Sequence, residues 1–322
     1  GLTAEDAEVT EATAEKNFFD AGACWAERST AVFFLLFPLR PSVSSAVNPF
    51  FSTTNDERRT DNMKILMVGD IVGSPGRRAF TRVVPEMKAA GKVDFVVVNA
   101  ENSAGGRGCT TSIAEELLDV GADVITLGDH VWDQREMVKE IDMLERVIRP
   151  ANLAPTCPGR GHVSVEVDGF GLITVIMMMG RAFMKPCECP FRAIDSLLKD
   201  QIPDSSLILC EIHAEATAEK VIYGRYVDGR VGAVVGTHTH VQTSDDRLLP
   251  LGTAYITDLG MTGPKDSAIG RDLASCTDMM ITGMPTRFEV AKNDVSLEGV
   301  IIDFDDKTRK PLSIQRVREP ID

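Results

Sequence analysis

The chain has 322 residues, 43% of them hydrophobic and 25% charged, enough apolar material for one large domain or two small ones. Its 34 Lys and Arg face 48 Asp and Glu; the formal net charge of −14 excludes a general nucleic-acid or anionic-membrane binder, since both need a basic footprint. Seven scattered cysteines make no even, closely spaced framework, which excludes a secreted disulfide scaffold and fits reduced thiols in a cytoplasmic protein.

Residues 1–62 differ from the rest. They hold 7 of the 14 Phe and none of the 13 Met, with ten acidic residues against five basic ones. The stretch PSVSSAVNPFFSTTNDERRTDN carries no sustained period of 2 or 3.6, as expected of loop or disorder. AVFFLLF (31–37) is shorter than the roughly 20 apolar residues a membrane span needs. Acids precede that run where a secretory signal carries bases, and a transit peptide is poor in acids. The expectation is a disordered or loosely structured, non-catalytic leader over 1–62, translated upstream of a natural start at Met63. One domain is expected over 63–322.

From Met63 onward, short Val/Ile/Leu runs alternate with amphipathic stretches, the pattern of an α/β sandwich. KILMVGD (64–70) predicts a strand that stops at Gly-Asp, and 77–90 predicts a helix. VDFVVVNAEN (93–102) is a second buried strand, and TSIAEELLDVG (111–121) a helix with a Thr or Ser cap and a Gly stop. ADVITLGDH (122–130) gives a third strand, followed by a helix from about Asp133 to Leu144. HVSVEV and GLITVIMMM, joined at Asp168-Gly169, form a hairpin, with the Met177–Met179 triplet as core filling. Cys187 and Cys189, in KPCECPF, have no second cysteine pair with which to complete a zinc site. Next come a helix at 191–200, the strand SLILCEIHAE (206–215), a helix at 216–226, and the strands VGAVVGTHTH (231–240) and GTAYITD (252–258). FEVAKN, LEGVIIDF and SIQRVR close a sheet as antiparallel strands.

The metal-capable side chains fall at strand ends. Asp70 ends the first strand, Glu101 and Asn102 the second, and Asp129 and His130 the third. His213 ends SLILCEIH, while His238 and His240 end VGAVVGTHTH; of the five His, His162 alone lies off this pattern. Loops at the carboxyl ends of strands converge on one rim of an α/β sheet, where ligands bind. Chance placement of so many donors there is hard to credit, so a metal centre is expected. The mixture of carboxylate and imidazole without thiolate suits Fe, Mn or Zn better than Ca or Mg. His238-Thr239-His240 has i, i+2 spacing, which in an extended segment aims both rings to one side. With three carboxylates and His213, that makes more donors than one ion takes. Two ions about 3.5–4 Å apart, sharing a carboxylate and a bridging water or hydroxide, form a hydrolytic centre for phosphoryl esters.

GDIVGSPGR, NAENSAGGRG, GDHVWD, RPAN, HAEATAEK, DGRVGAVVGTHTHVQT and GTAYITDLGMTGP together closely resemble the YmdB-like branch of the calcineurin-type metallophosphoesterases. The similarity runs from Met63 to the C-terminus and excludes the leader. It implies a four-layer α/β/β/α sandwich with two metal ions, Fe or Mn, divalent or of mixed valence. The implied activity is hydrolysis of phosphodiesters, with 2′,3′-cyclic nucleotides opened to 3′-nucleotides. By motif, Asp70 and His240 hold the first metal and Glu101 bridges to the second. His213, His238 and Asp129 complete the second site. Asn102 lies beside the bound phosphate, and His130 is the general acid for the leaving oxygen.

One position departs from the family pattern: Gly128-Asp129-His130 stands where the motif is usually Gly-Asn-His. An ionised Asp adds a negative charge at the metal and favours imidazolium at neighbouring His130. Arg107 and Arg181 are equally well read as solvated charges and are set aside. Three functions stay open. They are the cyclic-nucleotide phosphodiesterase, another metallophosphatase acting on phosphomonoesters or phosphoproteins, and a weakly active regulatory nucleotide-binding protein. The expected partner is a small phosphodiester, with no membrane and no general nucleic-acid binding; a homo-oligomer is compatible with the sequence.

Overall fold

The computed structural model describes residues 62–321, so the expected leader lies outside the described residues except for Asn62. Strand β1 (Asn62–Val68) leads to the short β2 (Asp70–Ile71) and helix α1 (Gly73–Ala89). Then come β3 (Phe95–Asn99), α2 (Thr111–Val120), β4 (Val124–Thr126), α3 (Arg135–Glu140) and β5 (Val147–Ile148). The hairpin β6 (His162–Val167) and β7 (Gly171–Met179) precedes α4 (Pro190–Asp200), β8 (Leu207–His213), α5 (Thr217–Tyr226) and β9 (Ala233–Thr237). The chain continues through β10 (Arg247–Leu248), β11 (Ala254–Ile256), β12 (Met261–Pro264) and α6 (Leu273–Thr282). The antiparallel pair β13 (Val295–Asp305) and β14 (Pro311–Pro320) completes it.

The fold is mixed α/β with two sheets. One runs β2-β12-β13-β1-β3-β4-β5, with β14 on the other edge of β13; the other runs β10-β11-β9-β8-β7-β6. In the first sheet β1, β3, β4 and β5 are parallel, and in the second β7, β8, β9 and β11 are parallel. Their carboxyl ends are therefore aligned within each sheet, which gathers the loops after them.

The period of 2 along the strands sorts side chains between cores. Met63, Ile65 and Met67 of β1 share one core with Ile173, Val175 and Met177 of β7 and with Leu209 and Val235, so this core joins both sheets. Leu66 and Val68 turn the other way, into a core with Phe80 and Val84 of α1, Leu117 of α2 and Met137 of α3. Met178, Ile212 and Val234 pack with Ile194 and Leu197 of α4 and Tyr223 of α5. All three residues of the methionine triplet are buried, as core filling requires.

Several expectations need correcting. Helix α1 begins a turn before residue 77, because Pro75 falls in the first turn, where its missing N–H costs no bond. FEVAKN is not a strand: Val290 makes a single bridge to Arg271, and the segment otherwise runs as a loop. Helix α6 has no counterpart among the expected elements. None of its residues is buried, and its start is marked by Asp272, whose carboxylate accepts from the Ser275 backbone N–H at 2.9 Å. The Gly121 stop of α2 falls where the sequence put it, but the cap is Thr110, one residue ahead of the expected Thr-Ser, its side chain accepting from the Ile113 backbone N–H. No helix among the described residues is long and apolar enough to cross a membrane.

Phe304 sits fully buried in the core between the sheets, so its truncation would leave a cavity there. Phe304→Ala is expected to cost about 3–5 kcal/mol, read as a lowered urea midpoint with an unchanged slope.

Candidate metal centre

Parallel pairing places His213, the last residue of β8, directly beside Thr237, the last of β9. The Thr237 hydroxyl donates to Glu211 Oε1 at 2.8 Å, so its lone pair is free to accept from His213 Nδ1 at 2.9 Å. That pairing puts the proton on Nδ1 and turns Nε2 outward, the arrangement of an imidazole ligand held by a hydrogen-bonded neighbour. Glu211 is itself anchored by the Asn99 amide at 2.7 Å and the Thr126 hydroxyl at 2.6 Å, while burial pushes its carboxyl pKa up. Asn99 also accepts from the Glu101 backbone N–H at 3.0 Å, so one buried network fixes both Glu101 and His213.

Around His213 Nε2 the donors crowd together. Glu101 Oε1 lies 3.0 Å away, Asp129 Oδ1 3.2 Å and His238 Nδ1 3.0 Å, with His238 Nδ1 and Asp129 Oδ1 3.5 Å apart. These four residues can hold one ion, since their ligand atoms all lie within 4.8 Å of one another. Separations near 3.0–3.5 Å are the edges of a coordination polyhedron whose metal–ligand bonds are about 2.1 Å. Gly128 makes the close approach possible: a Cβ there would collide with Glu101 Oε2 and sit 2.5 Å from His213 Nε2.

A second group adjoins the first. Asp70 is fully buried, and its Oδ1 finds no hydrogen-bond partner among the described residues. His240 Nε2 stands 3.8 Å from that oxygen, while the Asn102 amide lies 3.2 Å from His240 Nε2 and 3.3 Å from Glu101 Oε1. An orphaned buried carboxylate oxygen facing an imidazole fits a cation between them. The two histidines do not reach these groups by strand alternation, as an extended segment would have it. Strand β9 ends at Thr237, and His238 (φ 98°) and His240 (φ 63°) both adopt the left-handed region, which costs of order 1–3 kcal/mol per residue. Asp258 holds this strained turn: it accepts from the Thr239 hydroxyl at 2.7 Å and backbone N–H at 3.2 Å, and pairs with buried Lys220 at 2.7 Å.

The electrostatics follow from the anion count. Burial alone would lower the His213 pKa, but Glu101, Asp129 and Asp70 outweigh it and hold the pKa well above its ordinary value. Burial likewise opposes ionisation of Glu101, yet His213 and His130 bring its pKa down. These carboxylates draw positive charge to this spot, whether proton or metal ion. His130 Nδ1 lies 3.3 Å from Glu101 Oε1 and 3.5 Å from Asp129 Oδ1. Burial lowers its pKa, but the hydrogen bond to Glu101 and the charges of Glu101, Asp129 and Asp133 raise it by more, so the net shift is upward.

The centre opens into a cavity of about 440 Å³ lined by Glu101, Asn102, His130, His238 and His240. Each sequence-derived site residue is thus brought into one neighbourhood. Others were missed or set aside. Lys185 reaches Asp129 Oδ2 at 3.3 Å and also donates to the Asp129 carbonyl; it comes from an irregular loop, so no pattern flagged it. Arg107 lines the cavity and pairs at 2.5 Å with Asp133, whose Oδ2 is 3.9 Å from His130 Nε2. Glu211 did carry a signal: a Glu two residues before His213 in an apolar strand shares its face. Asp258 carried one too, as a further strand-end carboxylate. Cys187 and Cys189 line a separate pocket, and burial raises the Cys187 thiol to about 11.

A family model described as YmdB-like protein matches residues 66–317. A 2′,3′-cyclic-nucleotide 2′-phosphodiesterase of Bacillus subtilis (strain 168) is 46% identical over 255 residues, spanning 79% of this chain and 96% of the relative. The crystal structure of a hypothetical protein from Thermus thermophilus superposes with a TM-score of 0.76 at 37% identity, covering 81% of this chain and 100% of the other. A novel phosphatase from Mycoplasma pneumoniae gives 0.74 at 31% identity, with 80% and 94% covered.

Gly128→Ala tests the donor crowding directly. The new methyl group must displace Glu101 and His213, so the variant is expected to fold yet lose metal, measured as bound Mn or Fe per chain against an unchanged circular-dichroism spectrum.

Proposed function

The chain belongs to the YmdB-like family, and on that premise we propose that it is a dinuclear-metal phosphodiesterase opening 2′,3′-cyclic nucleotides to 3′-nucleotides. The observation that carries this reading is the convergence of Glu101, Asp129, His213 and His238 donors, with the orphaned Asp70 carboxylate nearby, next to a cavity that Glu101 and His238 line. Asp70 and His240 would hold one ion, Asp129, His213 and His238 the other, with Glu101 shared. Fe or Mn suits this donor set, and when bound the ions would polarise the phosphoryl oxygens and acidify the attacking water. The three cores fit the four-layer α/β/β/α sandwich of the calcineurin type, and the scattered thiols fit a cytoplasmic protein.

The protein's own groups do the rest. Asn102, between the two donor groups, offers its amide to the phosphate. Water delivers OH to phosphorus while the P–O2′ bond breaks, His130 gives its proton to the departing 2′ oxygen, and the proton lost by the water restores His130. Its exposure to the cavity and its upward-shifted pKa, set by Glu101, Asp129 and Asp133, support that acid role. Lys185 balances the charge that Asp129 adds. A second reading, hydrolysis of phosphomonoesters, draws support from the neighbour named a phosphatase. A panel of mono- and diesters with Mn or Fe supplied separates the two.

His130→Ala is expected to lower kcat on 2′,3′-cyclic nucleotides about 10²–10⁴-fold while both metals stay bound. The loss should shrink on p-nitrophenyl esters, whose leaving group needs little protonation; equal losses would count against the acid role. Every proposed site residue lies within 63–322, which we take as the catalytic domain. A chain shortened to begin at Met63 is expected to bind metal and turn over like the full one, by metal analysis and kinetics.

A further inference from the structure

The cavity over the metal centre has a second wall that the hydrolytic chemistry does not use. It is built by Ile269, Gly270 and Arg271 on one side and Phe288, Glu289 and Val290 on the other. The two segments are laced together by backbone bonds: Asp272 N–H to Glu289 O at 2.9 Å, Ala291 N–H to Gly270 O at 3.0 Å, and the Arg271–Val290 bridge. The wall is therefore a preformed surface. It is also tied to the centre, since His240 Nδ1 lies 3.0 Å from the Ile269 carbonyl. On its other side Val290 packs against Gly106, where a Cβ would come within 3.0 Å of the valine methyl and the φ of +90° already disfavours a side chain.

The wall combines apolar side chains, Ile269, Phe288 and Val290, with the charged Arg271 and Glu289. The Arg271 guanidinium lies over the Phe288 ring, 4.5 Å from its centroid, and both groups front the cavity. Phe288 and Val290 are only half-buried and Ile269 is 52% exposed, so apolar surface is left facing the space beside the metal donors. A stacked guanidinium–aromatic pair flanked by branched aliphatics suits a planar heterocycle, which both aromatic faces and guanidinium planes bind by stacking. A phosphate would use only the guanidinium of such a surface, whereas a planar base covers the ring and the aliphatic side chains as well. We infer that Arg271, Phe288, Ile269 and Val290 form a nucleobase subsite, which orients a nucleotide whose phosphate lies at the metal centre. The inference takes the position of the phosphate from the proposed function. Stacking does not read base edges, so the subsite selects nucleotides over base-free esters and is tolerant of base identity.

The test is calorimetric titration of the Mn-loaded full chain with 3′-AMP and with ribose 3-phosphate, which lacks the base. The parent is expected to bind 3′-AMP about tenfold tighter or more, the scale of one stacked base. Phe288→Ala should bring 3′-AMP down to the affinity of ribose 3-phosphate, whereas Phe288→Trp, which keeps a ring, should retain the preference. In turnover of 2′,3′-cyclic AMP, Phe288→Ala should raise KM more than it lowers kcat. Equal affinity of the parent for the two ligands, including no measurable binding of either, would overturn the subsite. So would a Phe288→Ala protein that keeps its preference for 3′-AMP. A base preference lost in Phe288→Ala, in a parent that does not hydrolyse cyclic nucleotides, would uphold the subsite and sink the proposed activity instead.

Discussion

Asp70, Glu101 and Asp129 bring three carboxylates to the rim of the two sheets, with Asp70 and Glu101 fully buried. Taking such charges out of water costs several kcal/mol per ion unless a partner of opposite sign compensates. Much of the surrounding architecture answers that constraint. His213, His238, His240 and His130 surround the carboxylates with imidazole nitrogens, and Lys185 closes on Asp129 from the open side. Asp258, a buried carboxylate nearby that faces Lys220, serves the backbone of the histidine turn.

Behind this arrangement lies a division of labour between the sheets. The first supplies the acidic residues, from the start of β2 and the loops after β3 and β4, together with His130, while the second supplies His213, His238 and His240 from the ends of β8 and β9. Neither sheet carries a complete set of donors. The core formed by Met63, Ile65, Met67, Ile173, Val175 and Met177 therefore does more than bury apolar surface, because it sets the distance across which Glu101 meets His213. The Asn99–Glu211–Thr237 network then fixes orientation, stitching β3, β8 and β9 together with hydrogen bonds sealed from water.

Asp129 illustrates how one residue is read through its neighbours. As a change from the usual amide it adds a negative charge, and the structure surrounds that charge with His213, His238, His130 and Lys185. Burial works against its ionisation, and those hydrogen bonds and charges carry its pKa below the usual carboxylate range nonetheless. The upward shift at His130 that an anionic Asp129 implies is present, though the Glu101 hydrogen bond contributes more to it.

The alternation of apolar strands with helices, and donors at the ends of those strands, were legible in the residues themselves, because both are local patterns of period and position. KILMVGD, SLILCEIH and VGAVVGTH state strand, stop and donor within ten residues each. What lay beyond reach was anything set by approach across the fold. The left-handed turn at His238 and His240 depends on Asp258 and Lys220, which come from the loop after β11 and from helix α5. Lys185 and the Arg271–Phe288 wall sit on irregular segments without period, and FEVAKN reads as a strand until tertiary contacts make it the side of a cavity. The sequence by itself determined which groups would be delivered to the rim, since strand length and stop signals are local. Tertiary structure alone decided which of them touch, since distances near 3 Å between residues over a hundred positions apart are fixed only by how two sheets pack.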